Sequence, residues 1–338
     1  MSACEWMTFL LAGVLAGAFW AGPGAAAEKA QAPAGGALAG QRPRVVVSSD
    51  IGGSDPDDFQ SMVHLLLYAD VLDIEGLISS PPKQGRARHV LEVLDAYEKD
   101  YTNLKAHSPK YPPPDALRKV TKQGAIDPAP KAGFTTPTEG SQWIIERAGA
   151  DDPRPLYVLA WGSITDVAQA VHDAPAIKAR LRVYSIGSWN TRNDPAARGY
   201  LFERHADLWW VEADTTFRGM YMGGRQDGDL GNREFVERHV KGHGALGELF
   251  YGKKRDIKMG DTPSVLYLLR GEPSKPAGPH WGGAFVKTAH GPNYWTDNPD
   301  PKLTDAGKPG ARTVSTWREA WLRDWQARMG RTLPPRDP

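Results

Sequence analysis

Short apolar runs alternating with helix-length segments constrain this chain more than any other feature. Val45, Val46 and Val47 form a β-branched run ending in Ser48-Ser49-Asp50. Phe59 to Ala69 reads as an apolar helix, Asp73 to Ser79 as the next strand and Arg88 to Tyr101 as the next helix. The order returns with a strand at 156–160, a helix at 165–172 and strands at 181–186 and 208–212. Strands this short and apolar are buried on both faces, and a strand that leads through a helix to another strand pairs with it in parallel through a right-handed crossover. The expectation is an α/β fold, a mostly parallel open sheet with helices on both faces, whose ligands bind beyond the carboxyl ends of the strands.

Residues 111–137, rich in Pro, Lys and Gly, and 271–309, rich in Gly, Pro and Asn, read as long loops over the sheet edge. Thr316-Trp317-Arg318-Glu319 fits a capping box, and Trp317, Trp321 and Trp325 recur every four residues, as in a helix that closes the domain with an aromatic stripe. No second hydrophobic unit follows. Residues 44–330 therefore read as one domain, with a flexible Ala, Gly, Pro and Gln lead-in at 28–43 and a tail at 331–338.

The apolar segment from Met7 to Gly22, followed by Ala25-Ala26-Ala27, reads as a secretory signal cleaved near Ala27, which implies a secreted or periplasmic protein. Its first residues carry Glu5 and no Lys or Arg, so an uncleaved anchor is the alternative. No later stretch is apolar for the length a membrane span needs. The one cysteine, Cys4, lies in that segment, so a processed chain holds no thiol, which excludes Cys nucleophiles and thiolate metal sites. With 41 Lys plus Arg against 40 Asp plus Glu, the net charge of +1 gathers no polyanion, and nucleic acid is excluded as a partner. A small-molecule substrate remains, and homo-oligomer formation stays open.

The densest acidic cluster follows the first strand. Asp50, Asp55, Asp57 and Asp58 repel one another unless a cation sits among them, and hard cations with oxygen ligands, Ca²⁺ or Mg²⁺, suit such a place. The competing reading is an N-capped helix, with Asp55 as cap, Pro56 at the first helical position and acids in the first turn. It leaves Asp50 without a role. A P-loop is absent, and Ser61 stands where an EF-hand would require Glu.

The stretch from Val45 to Leu77, above all SSDIGGSDPDDFQS, resembles the aspartate-rich first turn of the nucleoside hydrolases. It is closer still to the secreted nucleoside hydrolase-like family whose members are often labelled cellulose-binding protein. Leu159 to Asp166, the region from Arg182 to Tyr221 with YSIGSWNTRND and TTFRGMYMGG, and Gly260 to Ser264 followed by Trp281-Gly282-Gly283 match further segments in order.

The resemblance implies a calcium site with Asp50, Asp58 and Asp261 as carboxylate ligands, the main-chain carbonyl of Trp161 as a neutral one, and Asp57 as general base. Cleavage of a ribosyl or related furanosyl bond passes through an oxocarbenium-like state, for which calcium would orient water and sugar hydroxyls while a carboxylate takes the proton. Asn190, Trp189, Trp281 and Gly282 are the expected substrate contacts, with Trp161, Tyr294 and Trp295 as further aromatics at the mouth and Asp194 and Glu203 as weaker candidates.

Two departures stand out. The interval from Asp50 to Asp58 is longer than in the true nucleoside hydrolases, and Gly260 stands where many of them place a histidine. Leaving-group protonation is thus unassigned, with His280 and His290 as candidates; His64 and His89 read as packed or surface residues. The alternatives to a secreted calcium-dependent hydrolase are a carbohydrate-binding protein with a retained calcium site and a purely structural calcium site.

Overall fold

The structure is a computed structural model that describes residues 41–335 apart from 54, 83–84 and 131–132. The expected signal segment lies outside the described residues. Among them, no helix is long and apolar enough to cross a membrane.

The first half of the chain runs β1 (Arg44–Ser49), α1 (Asp57–Leu67), β2 (Asp73–Ser79), α2 (Ala87–His107), α3 (Pro114–Lys119), β3 (Thr121–Gln123), α4 (Glu139–Ala148), β4 (Leu156–Ala160) and α5 (Thr165–Asp173). It continues with β5 (Leu181–Ile186), α6 (Trp189–Asn193), α7 (Pro195–Arg204), β6 (Trp210–Ala213), α8 (Asn232–His239), α9 (Gly244–Lys253) and α10 (Thr262–Leu269). β7 (Phe285–Lys287), β8 (Tyr294–Asp297), α11 (Arg312–Ser315) and α12 (Arg318–Met329) complete it. The strands form one eight-stranded sheet in the order β3-β2-β1-β4-β5-β6-β8-β7. Every neighbouring pair is parallel except β7 with β8.

Alternation along the strands sends side chains to two cores. Val45 and Val47 pack with α1, α2, α9 and α12 on one face, whereas Val46, Leu156 and Val158 pack with α4, α5 and α7 on the other. This is the expected open sheet covered on both sides. The strand order reverses direction between β1 and β4, and a crevice opens at such a switch point beyond the carboxyl ends of the strands.

Several local expectations need correction. The two presumed loops contain structure: 111–137 holds α3 and the edge strand β3, and 271–309 holds the β7–β8 pair. Strands of three or four residues are too short to show a period of two, so Pro and Gly dominate the reading. Asp55 does not cap α1, which starts at Asp57 with no side-chain cap, because Asp55 is drawn instead to Lys258. The capping box at Thr316 is also absent: Thr316 is itself helical in backbone, and α12 starts after Trp317. The Trp stripe is core, with Trp321 and Trp325 fully buried. Packing continues past Gly330, where Arg331 pairs with Asp70 at 3.1 Å and Thr332 is buried, so the tail is shorter than expected.

Candidate active site and metal centre

The turn after β1 is built to hold Asp50 over the strand ends. Gly53 N–H donates to the Asp50 carbonyl at 2.9 Å, and Ile51 N–H donates to Ser49 Oγ at 3.1 Å. The β4 turn lies against it so closely that a Cβ on Gly162 would come within 2.8 Å of Asp50 Cβ, which is why this position has no side chain. Asp57 and Asp58 follow in the first turn of α1, where the helix dipole favours acids. Ser49 Oγ donates to Asp58 Oδ1. Asp261 arrives from the other end of the domain, at the residue before α10.

One carboxylate oxygen each from Asp57, Asp58 and Asp261 lie within 4.8 Å of one another. Asp50 and Asp55 line the same cavity of about 340 Å³. Lys258 pairs with Asp55 and its charge is also felt at Asp57 and Asp261, but the four inner carboxylates have no Lys or Arg in ion-pair contact among the described residues. Burial and then the charge of Asp57 push Asp50 up to about 7. Burial and then the charge of Asp55 push Asp57 up to about 6. Burial, with the charge of Asp261 next, holds Asp58 well above the usual carboxylate range, and burial with the charge of Asp57 does the same to Asp261.

Asp261 Oδ2 is buried with no hydrogen-bond partner. An orphaned carboxylate oxygen beside two more carboxylates is costly unless a proton or a cation completes it. The donor set is all oxygen and strongly anionic, so these residues fit a hard divalent ion such as calcium.

Trp161 is fixed underneath. Its indole N–H donates to Ser264 Oγ at 2.7 Å, and Ser264 Oγ donates to the Asp261 carbonyl at 2.6 Å. The Trp161 carbonyl already accepts from Asn190 Nδ2 at 2.8 Å, and its second lone pair remains for another partner. Asn190 also donates to the Ile186 carbonyl at 3.1 Å, so a ligand meets its amide oxygen. Trp189 lines the cavity and is 61% exposed.

Chain comparisons fit this geometry. A family model described as "Cellulose-binding Sde182, nucleoside hydrolase-like domain" matches residues 44–285. The chain belongs to this family. Among solved structures, a nucleoside hydrolase-related protein from Saccharophagus degradans, associated with carbohydrate metabolism, is similar with a TM-score of 0.69 and 26% identity over 86% of this chain and 72% of that one. The type III effector XopQ, solved with adenosine diphosphate ribose, matches with a TM-score of 0.54 and 10% identity over 87% of this chain and 95% of that one. An inosine-guanosine nucleoside hydrolase matches with a TM-score of 0.50 and 11% identity, over 85% and 98% respectively. The last two share the fold alone. No curated protein matches the chain.

Within this nucleoside hydrolase-like domain, several expected contacts lie elsewhere. Trp281 and Gly282 do not line the cavity: Trp281 is buried, and Gly282 presses on the Pro263 carbonyl and the Tyr267 backbone while its own carbonyl accepts from Tyr184 Oη at 3.0 Å. They are adjacent in sequence to Gly-rich loop residues but packed behind α10. Tyr294 and Trp295 belong to β8 and its packing. Asp194 accepts from Thr165 Oγ1 at 2.7 Å and caps α7, and Glu203 is exposed on that helix.

Neither candidate histidine reaches the cavity. His280 is buried, with its ring nitrogens at the Gly278 and Glu272 carbonyls, and His290 stacks on Phe202. Gly260 has a local reason to lack a side chain, since a Cβ there would stand 2.8 Å from Asp57 Oδ2 and 3.5 Å from the Phe217 ring.

Another wall of the cavity is formed by Ser188, Phe217, Arg218 and Tyr221, which fall in the segment 182–221 whose sequence resembles the family without singling out these residues, and by Lys258, which nothing in the sequence singles out. The available signal is position. Ser188 follows β5 and Phe217 to Tyr221 follow β6, both just past carboxyl ends of strands in the central sheet.

Proposed function

We propose that this protein hydrolyses a glycosidic bond to a ribosyl or related furanosyl unit and that calcium is held by Asp50, Asp58, Asp261 and the Trp161 carbonyl. The observation that carries the reading is the convergence of the adjacent pair Asp57 and Asp58 with Asp261, which is distant in sequence, within 4.8 Å in a cavity that also contains Asp50. Its volume of about 340 Å³ suits a small molecule. When bound, calcium supplies a positive charge that orients sugar hydroxyls and acidifies water.

The chain's own groups do the rest. Asp57, pushed up to about 6, is basic enough to take a proton from attacking water and ionised enough near neutrality to do so. Asn190 offers an acceptor to a sugar hydroxyl, and the exposed face of Trp189 offers an apolar platform to a ring. The family's link to carbohydrate supports the class of ligand.

Asp57→Asn tests the assignment. Hydrolysis of a nucleoside and furanoside panel should fall by about 100-fold or more while calcium affinity, read by calorimetry, changes little. Equal loss of affinity and activity would make Asp57 a ligand instead, consistent with its place in the three-carboxylate group.

A second reading is carbohydrate binding with little catalysis. It is favoured by Gly260 and by the absence of any histidine from the cavity lining among the described residues. Calcium-dependent binding of cello-oligosaccharides without product after prolonged incubation would select it.

A further inference from the structure

The cavity wall carries a cation that the acidic floor does not use. Arg218 lines the cavity, yet no carboxylate among the described residues lies within ion-pair distance of its guanidinium. Its partners are neutral. Nη1 donates to Tyr221 Oη at 3.0 Å, Nη2 donates to Ser188 Oγ at 3.2 Å, and the Phe217 ring lies 4.8 Å from Cζ. Lys258, the other cation on this wall, is already paired with Asp55.

The support for this arginine is itself constrained. Ser188 adopts φ 59 and ψ −105, a conformation that an L side chain rarely takes, and its N–H is held by Asp214 Oδ1 at 2.6 Å. Thus a strained residue presents the hydroxyl that orients the fork. A guanidinium has five N–H groups, and two hydrogen bonds leave donors for a ligand. The planar fork matches the two oxygens of a carboxylate or phosphate. Phe217 links this wall to the floor, since its ring also lies 3.5 Å from where a Gly260 Cβ would stand, next to Asp57.

We propose that Arg218 selects glycosides whose sugar bears an anionic substituent, a carboxylate or a phosphate ester, by pairing with it at the cavity wall. The proposal rests on the reading of the cavity as a sugar site. Ser188 and Tyr221 act as positioning residues for the guanidinium.

Calorimetric titration of the full protein in calcium with two matched pairs tests this: D-ribose against D-ribose 5-phosphate, and D-galactose against D-galacturonate. The anionic member of at least one pair should bind about tenfold more tightly, as expected for a charge-assisted hydrogen bond pair, and the better pair tells phosphate from carboxylate. Arg218→Gln should bring that pair to within about twofold, with the loss of affinity larger for the anionic member than for the neutral one. Equal binding of neutral and anionic members to the wild type overturns the assignment and leaves the sugar site standing. A preference that survives in Arg218→Gln also overturns it, because the anion then sits on the calcium. If none of the four sugars binds, the sugar-site reading fails with it.

Discussion

The two ends of the central strands hold similar numbers of carboxylates and treat them in opposite ways. At the amino end, Arg44 donates to both Glu75 oxygens at 2.6 and 2.8 Å, and Arg154 reaches Asp73 and Asp152 at 2.6 Å each. There the hydrogen bond from Arg154 holds Asp152 below the usual carboxylate range. At the carboxyl end, Asp50, Asp57, Asp58 and Asp261 face one another without such partners and are all pushed up. The first end is finished by the chain itself, whereas the second is complete only with a proton or a cation from outside.

The largest effect expected from breaking this contrast is at the closed end. Arg44 is 1% exposed, and Arg44→Ala leaves Glu75 with no counterion, so the folded state should lose about 3 kcal/mol in chemical denaturation. Removal of a charge at the open end should do the reverse. Asp261→Asn in chelator should leave stability unchanged or raise it by about 1 kcal/mol, because it relieves repulsion among buried acids. The same variant should weaken calcium binding by about 100-fold in calorimetry, since a ligand charge is lost.

How much of this was legible in the sequence depended on the kind of signal. Val45 to Val47 and Leu156 to Ala160 show their burial in composition, so the central strands and the parallel sheet could be read directly. β3, β7 and β8 are too short for any period and could not. Asp50, Asp57 and Asp58 stand out because they crowd one turn, and the resemblance added Asp261. By contrast, Trp281 and Gly282 were misplaced because nearness in sequence to a loop does not say which way a packed ring faces. Arg218 and Lys258 are single basic residues in a balanced chain, and only the fold gives them a common wall.

The two ends also differ in how they respond to pH. The open-end carboxylates have folded pKa values above their unfolded ones, so without metal their contribution is greatest in acid and is lost as pH rises through about 6 to 7. In chelator, wild type should therefore lose stability relative to Asp261→Asn between pH 5 and pH 8. Calcium needs these groups ionised, so the rise in melting temperature on adding calcium should grow over the same interval. His64 acts in the opposite sense: burial, and then the charge of Arg328, push it down to about 3, which weakens the fold as pH falls below about 6.5. Comparison with Asp261→Asn cancels that term, and a calcium shift that is the same at both pH values would break the assignment of the cluster.

The smallest expected effect on stability probes how tightly the open end is packed. Gly260→Ala places a methyl group 2.8 Å from Asp57 Oδ2, close enough that the carboxylate must move, whereas the Phe217 ring at 3.5 Å can stay. Because the neighbour that yields is a side chain bordering a cavity, the loss should be at most about 1 kcal/mol, within the ordinary range for a point substitution. If Asp57 is the proton acceptor proposed above, hydrolysis should fall much further, because an acceptor displaced by a fraction of an ångström no longer meets its water. A variant that loses stability and activity in proportion would show that Gly260 serves the fold alone. Loss of activity with near-wild-type denaturation would show that the bare backbone at this position keeps the open end open.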